Sequence, residues 1–379
     1  MGGIMAVGLT VETVLNKYRS LVANELLGFL DRAQHNAELD LLGSFYGQMR
    51  YHLGWAHADL SPIEGHPSKF LGKFLRPTLL LLAHQVCLPA QPPAAPARHV
   101  PYQLEQILPA AAAVELVHNF SLIHDDIEDG DPLRHHRPTL WKLWGQPQAI
   151  NTGDGLFCIA RLALLELGRT GVDAQTILTL AHLFDNACLA LCEGQHLDMS
   201  FERQRQISVE LYLAMIGRKT AALMQCATEM GARLATANAN QIAQLAAFGR
   251  SLGIAFQLRD DLLGVWATET ELGKAPAGDI RRKKMSLPII TALEHASPEH
   301  RARLQAIYAE EGPASDAQVA ETLSLFASSD IRRRCQEQLA AAITTAEQAL
   351  EAITWSETGA QARHELHTLL GFLAREARG

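Results

Sequence analysis

The six cysteines (Cys87, Cys158, Cys188, Cys192, Cys226 and Cys335) form no Cys-x-x-Cys pair. Their scatter gives neither zinc-ligand spacing nor a disulfide framework, and predicts reduced core thiols in an intracellular protein. Basic charge is not in excess: 41 acidic residues against 33 basic ones leave a net charge of −8. That balance argues against general nucleic-acid binding, which needs a positive surface. No uncharged apolar run approaches the ~20 residues of a membrane span. The first residues, MGGIMAVGLTVETVLNKYRS, lack a basic segment ahead of an apolar one and a small-residue cleavage pattern. A secretory leader is therefore not expected, and a cytoplasmic location is. There is no fixed-period repeat. Charged residues make up only 20% and hydrophobic ones 48%, which excludes extensive disorder and allows a large core.

Alternating β-branched stretches are also missing, so no sheet is predicted. Helical spacing of apolar residues dominates instead. It runs over 11–33, with Thr10 as N-cap, and recurs at 70–87, 104–124, 151–167, 174–200, 208–230, 239–263 and 285–296. A more polar, Ala-rich form continues through 316–326, 330–353 and 357–376. Two segments break the pattern: 87–101, which holds five of the 16 prolines, and the Gly-, Pro- and base-rich stretch 130–148. Runs such as LLLLAHQ and LALLEL have no polar face and belong inside a large bundle. The expected fold is all-α, one large helical bundle around an apolar cavity. A single domain over 1–379 is expected, with a motif-bearing core at about 70–295 and helical extensions at 1–69 and 296–379.

Two acidic clusters close apolar helices. LIHDDIEDGD carries Asp125, Asp126, Glu128, Asp129 and Asp131, and Asp125 and Asp129 share a helix face one turn apart. FQLRDDLLG brings Asp260 and Asp261 to the end of a second apolar run. Carboxylates so concentrated repel one another unless cations neutralise them, and an all-oxygen donor set favours Mg²⁺ bridging to phosphate. Basic residues gather at helix boundaries: Lys73 and Arg76, Arg134 and Arg137, Lys219, Lys274, Lys283 and Lys284. Carboxylates and boundary cations together suggest a diphosphate held by Mg²⁺ on one side and by cationic side chains on the other.

These residues resemble the trans-isoprenyl diphosphate synthases over about 72–288, with five motifs in the family's order. GKFLRP, VHNFSLIHDDIED, LRHHRPT, GRKTAAL, and FQLRDDLLG with GKAPAGDIRRKKMSLP look like the family's segments. The resemblance implies a Mg²⁺-dependent head-to-tail condensation of isopentenyl diphosphate with an allylic diphosphate, in a homodimer. It assigns Asp125, Asp129 and Asp260 as ligands of three Mg²⁺ ions, with Asp126 and Lys219 also in the catalytic set. Arg134, Lys219 and Lys274 match contacts to the allylic diphosphate, Lys284 in the lysine tail counts among the substrate-binding residues, and Thr220 and Gln257 match polar groups near the nascent cation. Lys73, Arg76, His118 and His135 match the isopentenyl diphosphate site. His124 is read as a satisfied core histidine.

Three departures stand out. Phe74 replaces a usual Arg, His135 the second Arg of the LRRG segment, and Gly264 the last Asp of the second cluster. Phe120, five residues before Asp125 and so about 7.5 Å deeper along a helix, is expected with Ser121 to floor the product channel. Without an insertion in DDIED, the resemblance implies a C20 product, geranylgeranyl diphosphate. A C15 synthase and a terpene cyclase on the same fold are the alternatives, with a non-catalytic regulatory subunit behind them.

Overall fold

The computed structural model describes residues 9–63, 72–91, 100–201, 204, 207–267 and 277–375. Backbone contacts divide the chain into two compact units. One comprises Met1–Asn186, Ala227–Ile242 and Thr354–Glu365, and the other Ala187–Cys226, Ala243–Ile353 and Leu366–Gly379.

The first unit opens with α1 (Val11–Asn16), capped by the Thr10 hydroxyl, and α2 (Arg19–Asn36), so the expected single helix over 11–33 breaks at Lys17–Tyr18. Then come α3 (Gly43–His52), α4 (Leu75–Val86) and α5 (Leu104–Glu128). The α5 segment Ala110–Ala113 is fully buried. These small side chains let α7 (Gln146–Leu165) lie along α5, the most extensive helix pairing among the described residues. Leu79–Leu82 of α4 are buried beside it. At the other end of the unit's core, a Cβ on Gly231 would stand 3.0 Å from the His84 amide nitrogen, which is how closely the two backbones approach.

Between α5 and α7 the expectation of no sheet is corrected. Two-residue strands β1 (Leu133–Arg134) and β2 (Arg137–Pro138) pair antiparallel, followed by α6 (Leu140–Trp144). The linking residues His135 and His136 both have positive φ, +49° and +61°. A two-residue hairpin loop demands left-handed backbone at both positions, so turn geometry rather than β-propensity makes this ribbon. Arg137 braces it: its guanidinium donates to the carbonyls of Tyr51 (3.0 Å) and Ala56 (2.7 Å) and lies over the Tyr51 ring.

Next in the chain are α8 (Ala174–Phe201), α9 (Val209–Ile216), a π-helical turn Gly217–Ala221, α10 (Ala222–Ala235) and α11 (Ala239–Trp266). The predicted helix over 208–230 thus contains a π-turn. The second unit continues with α12 (Gly278–Arg281), α13 (Leu287–His295), α14 (Pro298–Ala309), α15 (Asp316–Ser328) and α16 (Ile331–Glu351). Its core holds Phe248, Phe326, Leu339 and Ile343, and α13 packs on α9 and α16. The last helix is α17 (Ala360–Leu373).

Although neither contains a wholly uncharged run, α5 and α8 are long and apolar enough to cross a membrane by length and composition. In α5 most of that apolar stretch (61%) is buried inside the protein, whereas in α8 only 28% is. The first is a core helix. The second keeps an apolar face uncovered in the single chain.

Candidate active site

The first aspartate cluster sits at the C-terminal end of α5, with Asp129 as the C-cap. The helix dipole is negative there, so each carboxylate costs roughly 0.3–1 kcal/mol, and no basic residue of the last turn offsets it. The two adjacent aspartates divide the work. Asp126 points inward and is 3% exposed, and its carboxylate accepts from Arg134 Nε at 2.8 Å. Burial raises the Asp126 pKa above the usual carboxylate range while Arg134 opposes the shift. Asp125 is half-buried, 3.5 Å from the Arg134 guanidinium, and Asp129 is exposed one turn on, its amide donating to the Asp125 carbonyl at 2.8 Å. The β1 strand therefore sets Arg134 against the cluster it was expected to serve.

Behind the cluster lies a cationic recess. His118, on α5, is held well below the usual imidazole pKa by burial first, then by Arg76, Arg134, His52 and His135. Burial first, then Arg134, His135 and Arg137, push His52 down to about 3. The expected residues Arg76, His118, Arg134 and His135 are thus brought within electrostatic reach of one another, and Lys73 is exposed at the entry to α4. His52 and the buried Glu115 were not foreseen. Burial pushes the Glu115 carboxyl up to about 7, with Arg76 and Asn119 opposing. Phe74 is buried, with left-handed backbone (φ 52°). It packs inward, so the usual Arg is replaced by a core side chain.

Along α5, the Phe120 ring meets His124 edge-on (centroids 4.9 Å apart) and Phe157 of α7 (5.1 Å). The Ser121 hydroxyl turns back to the His118 carbonyl at 2.8 Å. His124 faces the Ile150 carbonyl and the Asp154 carboxylate. Its packing requires Gly153, where a Cβ would stand 2.5 Å from the imidazole.

The second cluster repeats the inward–outward division. Asp261 is 1% exposed and accepts from the Tyr212 hydroxyl, from Gln257 Nε2 (3.1 Å) and from the Leu287 amide (3.3 Å). Burial pushes it up to about 6, against the pull of Lys284, Tyr212 and Gln257. Asp260 is exposed. Thr220 donates to Gln257 Oε1 at 3.0 Å, joining the π-turn to this network. Lys219, also on that turn, donates to Asp198 at 2.6 Å. A Cβ on Gly194 or on Gly253 would stand 2.6 Å from Lys219 Cα or Ala221 Cα respectively. Glycine at these two positions lets α8 and α11 close on the turn. Lys284 is charged despite desolvation, because Asp279, Asp261 and Asp198 favour its ammonium form. Asp198 and Tyr212 had no signal in the sequence, whereas Asp279 lies within the quoted segment GKAPAGDIRRKKMSLP. Lys274 lies outside the described residues.

Both clusters offer only carboxylate oxygens, which suits a hard cation. Among the described residues no group of three His, Cys, Asp or Glu is arranged to hold a metal by itself. Mg²⁺ commonly takes one or two carboxylates and completes its sphere with water and substrate phosphate, so the donor set fits that ion.

An all-helical protein with paired aspartates at helix ends and cations beside each pair has the makings of a prenyltransferase. The family model described as polyprenyl synthetase matches residues 65–326. A geranylgeranyl diphosphate synthase of Mycobacterium tuberculosis is 38% identical over 299 residues, 77% of this chain and 79% of that one. A (2E,6E)-farnesyl diphosphate synthase of the same species is 36% identical over 278 residues, covering 73% and 71%. The crystal structure of a polyprenyl synthetase from Streptomyces coelicolor superposes with a TM-score of 0.80 at 34% identity, covering 96% of this chain and 99% of that one. The chain belongs to the polyprenyl synthetase family and is a prenyltransferase.

Proposed function

We propose that this prenyltransferase is a short-chain prenyl diphosphate synthase, joining isopentenyl diphosphate to an allylic diphosphate to give a C20 product. The observation that carries the reading is the division within each aspartate pair. Asp126 and Asp261 are buried and hydrogen-bonded, while Asp129 and Asp260 are exposed and Asp125 is half-buried beside Arg134, which leaves these three for cations. When bound there, Mg²⁺ supplies charge neutralisation of the departing pyrophosphate.

On the family pattern Arg134, Lys219 and Lys284 serve the allylic diphosphate; Arg134 and Lys219 are each paired with a carboxylate in the resting protein, and nearby carboxylates favour the Lys284 ammonium form. With Phe74 standing where the family pattern usually has an arginine, the diphosphate of isopentenyl diphosphate falls to Lys73, Arg76 and His118. His118, desolvated in the recess, offers an imidazole N–H there. Thr220 and Gln257 present a hydroxyl and an amide near the developing carbocation, and apolar walls keep water from quenching it. Phe120, backed by Phe157, supports a C20 limit, as does the likeness to a relative named for that product. The C15 reading rests on the likeness to the farnesyl diphosphate synthase.

We infer that residues 1–379 act as one catalytic domain in a cytoplasmic homodimer. All six cysteines are free thiols, as a reducing compartment keeps them, although Cys158 and Cys192 are exposed and not in the core as expected. Ile150, Leu162 and Leu165 of α7 and Leu178 of α8 are large exposed apolar side chains suited to a subunit interface.

Incubation with Mg²⁺, farnesyl diphosphate and labelled isopentenyl diphosphate should give a labelled C20 diphosphate. Accumulation of C15 from geranyl diphosphate with no C20 would favour the second reading. A neutral hydrocarbon formed from a prenyl diphosphate alone would overturn both in favour of a cyclase.

A further inference from the structure

The cationic recess behind the first aspartate cluster is short of fixed charge. Phe74 is 3% exposed and packs inward, and position 135 carries histidine where the motif pattern has arginine. Another ring stands at this recess. It belongs to His52, half-buried at the C-terminal end of α3.

Helix α3 is fastened to the β-ribbon at the residue before it. The Tyr51 hydroxyl donates to the Pro138 carbonyl at 2.7 Å, and the Tyr51 carbonyl accepts from Arg137 Nη1 at 3.0 Å. This double clasp brings the end of α3 to the ribbon that carries Arg134 and His135. From α5 comes Asn119, whose side-chain nitrogen donates to the Glu115 carbonyl at 2.8 Å. With that nitrogen committed, the Asn119 oxygen serves the hydrogen bond to His52. One His52 nitrogen is therefore an N–H donor to Asn119, and the other is the one left for a ligand.

The charges around the ring are mostly positive. The ribbon contributes Arg134, His135 and Arg137, and α5 contributes His118. Arg76 of α4 acts on His118 and on Glu115, the carboxyl that Asn119 also touches. Asp126 and, less closely, Asp125 face Arg134. Arg50, on α3 itself, is turned away to Asp31 and Gln34, and α7 meets α3 through the neutral pair Gln48 and Thr152. Burial and the surrounding cations keep the His52 ring uncharged in the free protein. An arriving diphosphate offsets those cations and offers acceptor oxygens, which favours the imidazolium form.

We propose that His52 is a further contact for the diphosphate of isopentenyl diphosphate, a ring that takes up a proton as this substrate binds and supplies the cation missing at positions 74 and 135. The inference rests on the prenyl diphosphate synthase reading and adds to it a residue outside the five motifs. The proton comes from solvent, goes to the ring nitrogen not bonded to Asn119, and returns to solvent when the diphosphate leaves.

The test is a calorimetric titration of isopentenyl diphosphate into the full chain in EDTA at about pH 7, repeated in buffers of different ionisation enthalpy. Without an allylic substrate no reaction competes, and the dependence of the heat on buffer counts the protons taken up. The parent should take up roughly half a proton or more per site. His52→Gln keeps a donor for Asn119 and removes the titrating ring. It should bind about tenfold or more weakly, the effect of losing a hydrogen bond to a charged group, and lose most of the uptake, with a thermal melt close to the parent's. His52→Asn, suited to a helix end, gives the same reading should the glutamine variant not fold. In turnover with Mg²⁺, the KM for isopentenyl diphosphate should rise by about tenfold while that for the allylic diphosphate stays within about twofold. Adding His135→Arg to His52→Gln should bring binding back to within about threefold without restoring the uptake, because a fixed cation replaces a titrating one.

Parent-like affinity and uptake in His52→Gln overturn the proposal and leave the synthase reading intact. Weak binding that His135→Arg does not recover also overturns it, because His52 would then serve only to hold Asn119 and the end of α3. Failure of the unaltered protein to bind isopentenyl diphosphate would overturn the synthase reading and this inference together.

Discussion

Arg134 reaches back from the β-ribbon to the buried carboxylate of Asp126, with its Nη2 2.7 Å from Asp126 Oδ1 and 3.5 Å from the nearer oxygen of Asp125. The second aspartate of the first cluster is thus the closer counterion, and the first is half-buried at the edge of the same pair. Removing one partner of a buried pair leaves the other uncompensated, at a cost of about 3 kcal/mol. Asp126→Ala should lower unfolding stability by about that much in a denaturant titration. Asp125→Ala should cost well under half as much yet abolish Mg²⁺-dependent turnover. Equal destabilisation by the two variants would remove the distinction between anchor and ligand.

Glu115 gives the stability a pH dependence of definite sign. Its folded pKa is raised from 4.5 to about 7 by burial, so the folded protein holds a proton that the unfolded chain releases earlier. Its contribution is fully present below about pH 4.5 and is lost as pH rises through about 7. Glu115→Gln removes that loss while keeping an oxygen for Asn119. The stability difference between variant and parent should grow from pH 5 to pH 8, toward about 3 kcal/mol. His52 and His118, with lowered pKa values, act in the opposite direction, destabilising as pH falls. They are common to both proteins and cancel in the difference. A difference flat with pH would mean that Glu115 is ionised throughout.

Much of this was legible in the sequence, for identifiable reasons. The long helices α5, α7, α8 and α11 announce themselves because each buries apolar side chains over many turns. The aspartate pairs stand out because charge at the end of an apolar helix has no packing explanation. Where the reading missed, local pattern was weak or absent. Helix α3 buries Gly47 and Gln48 along with Met49, which blurs any apolar stripe, and α14 is polar around most of its surface. The ribbon at 133–138 depends on two left-handed histidines. Tyr212 and Asp198 act on Asp261 and Lys219 from far along the chain, as seen in Tyr212–Asp261 with its separation of 49. No spacing rule joins residues so distant in sequence.

His136 offers a direct test of the turn argument. At φ +61° a non-glycine residue pays a left-handed penalty of about 1 kcal/mol, partly offset by the greater unfolded freedom of glycine. His136→Gly should therefore raise stability by about 0.5 kcal/mol, visible as a higher denaturant midpoint with an unchanged slope. His136→Val, β-branched at the same position, should lower it by more than about 1 kcal/mol. If valine were tolerated as well as glycine, the hairpin would not be constraining this backbone.

Product length should respond to two rings in sequence. Phe120 is five residues before Asp125 on α5, so its side chain is about 7.5 Å deeper along the helix axis. Beside it stands Phe157 of α7, with ring centroids 5.1 Å apart, taken as the deeper of the two. Phe120→Ala should let the chain grow past C20, with Phe157 still limiting the extension. The double variant Phe120→Ala, Phe157→Ala should yield longer products than either single variant. Phe157→Ala alone should change the distribution little, because the nearer ring remains. Thin-layer or mass analysis of the dephosphorylated products reads this directly. Unchanged C20 from Phe120→Ala would place the floor on other residues, and lengthening by Phe157→Ala alone would reverse the order of the two rings.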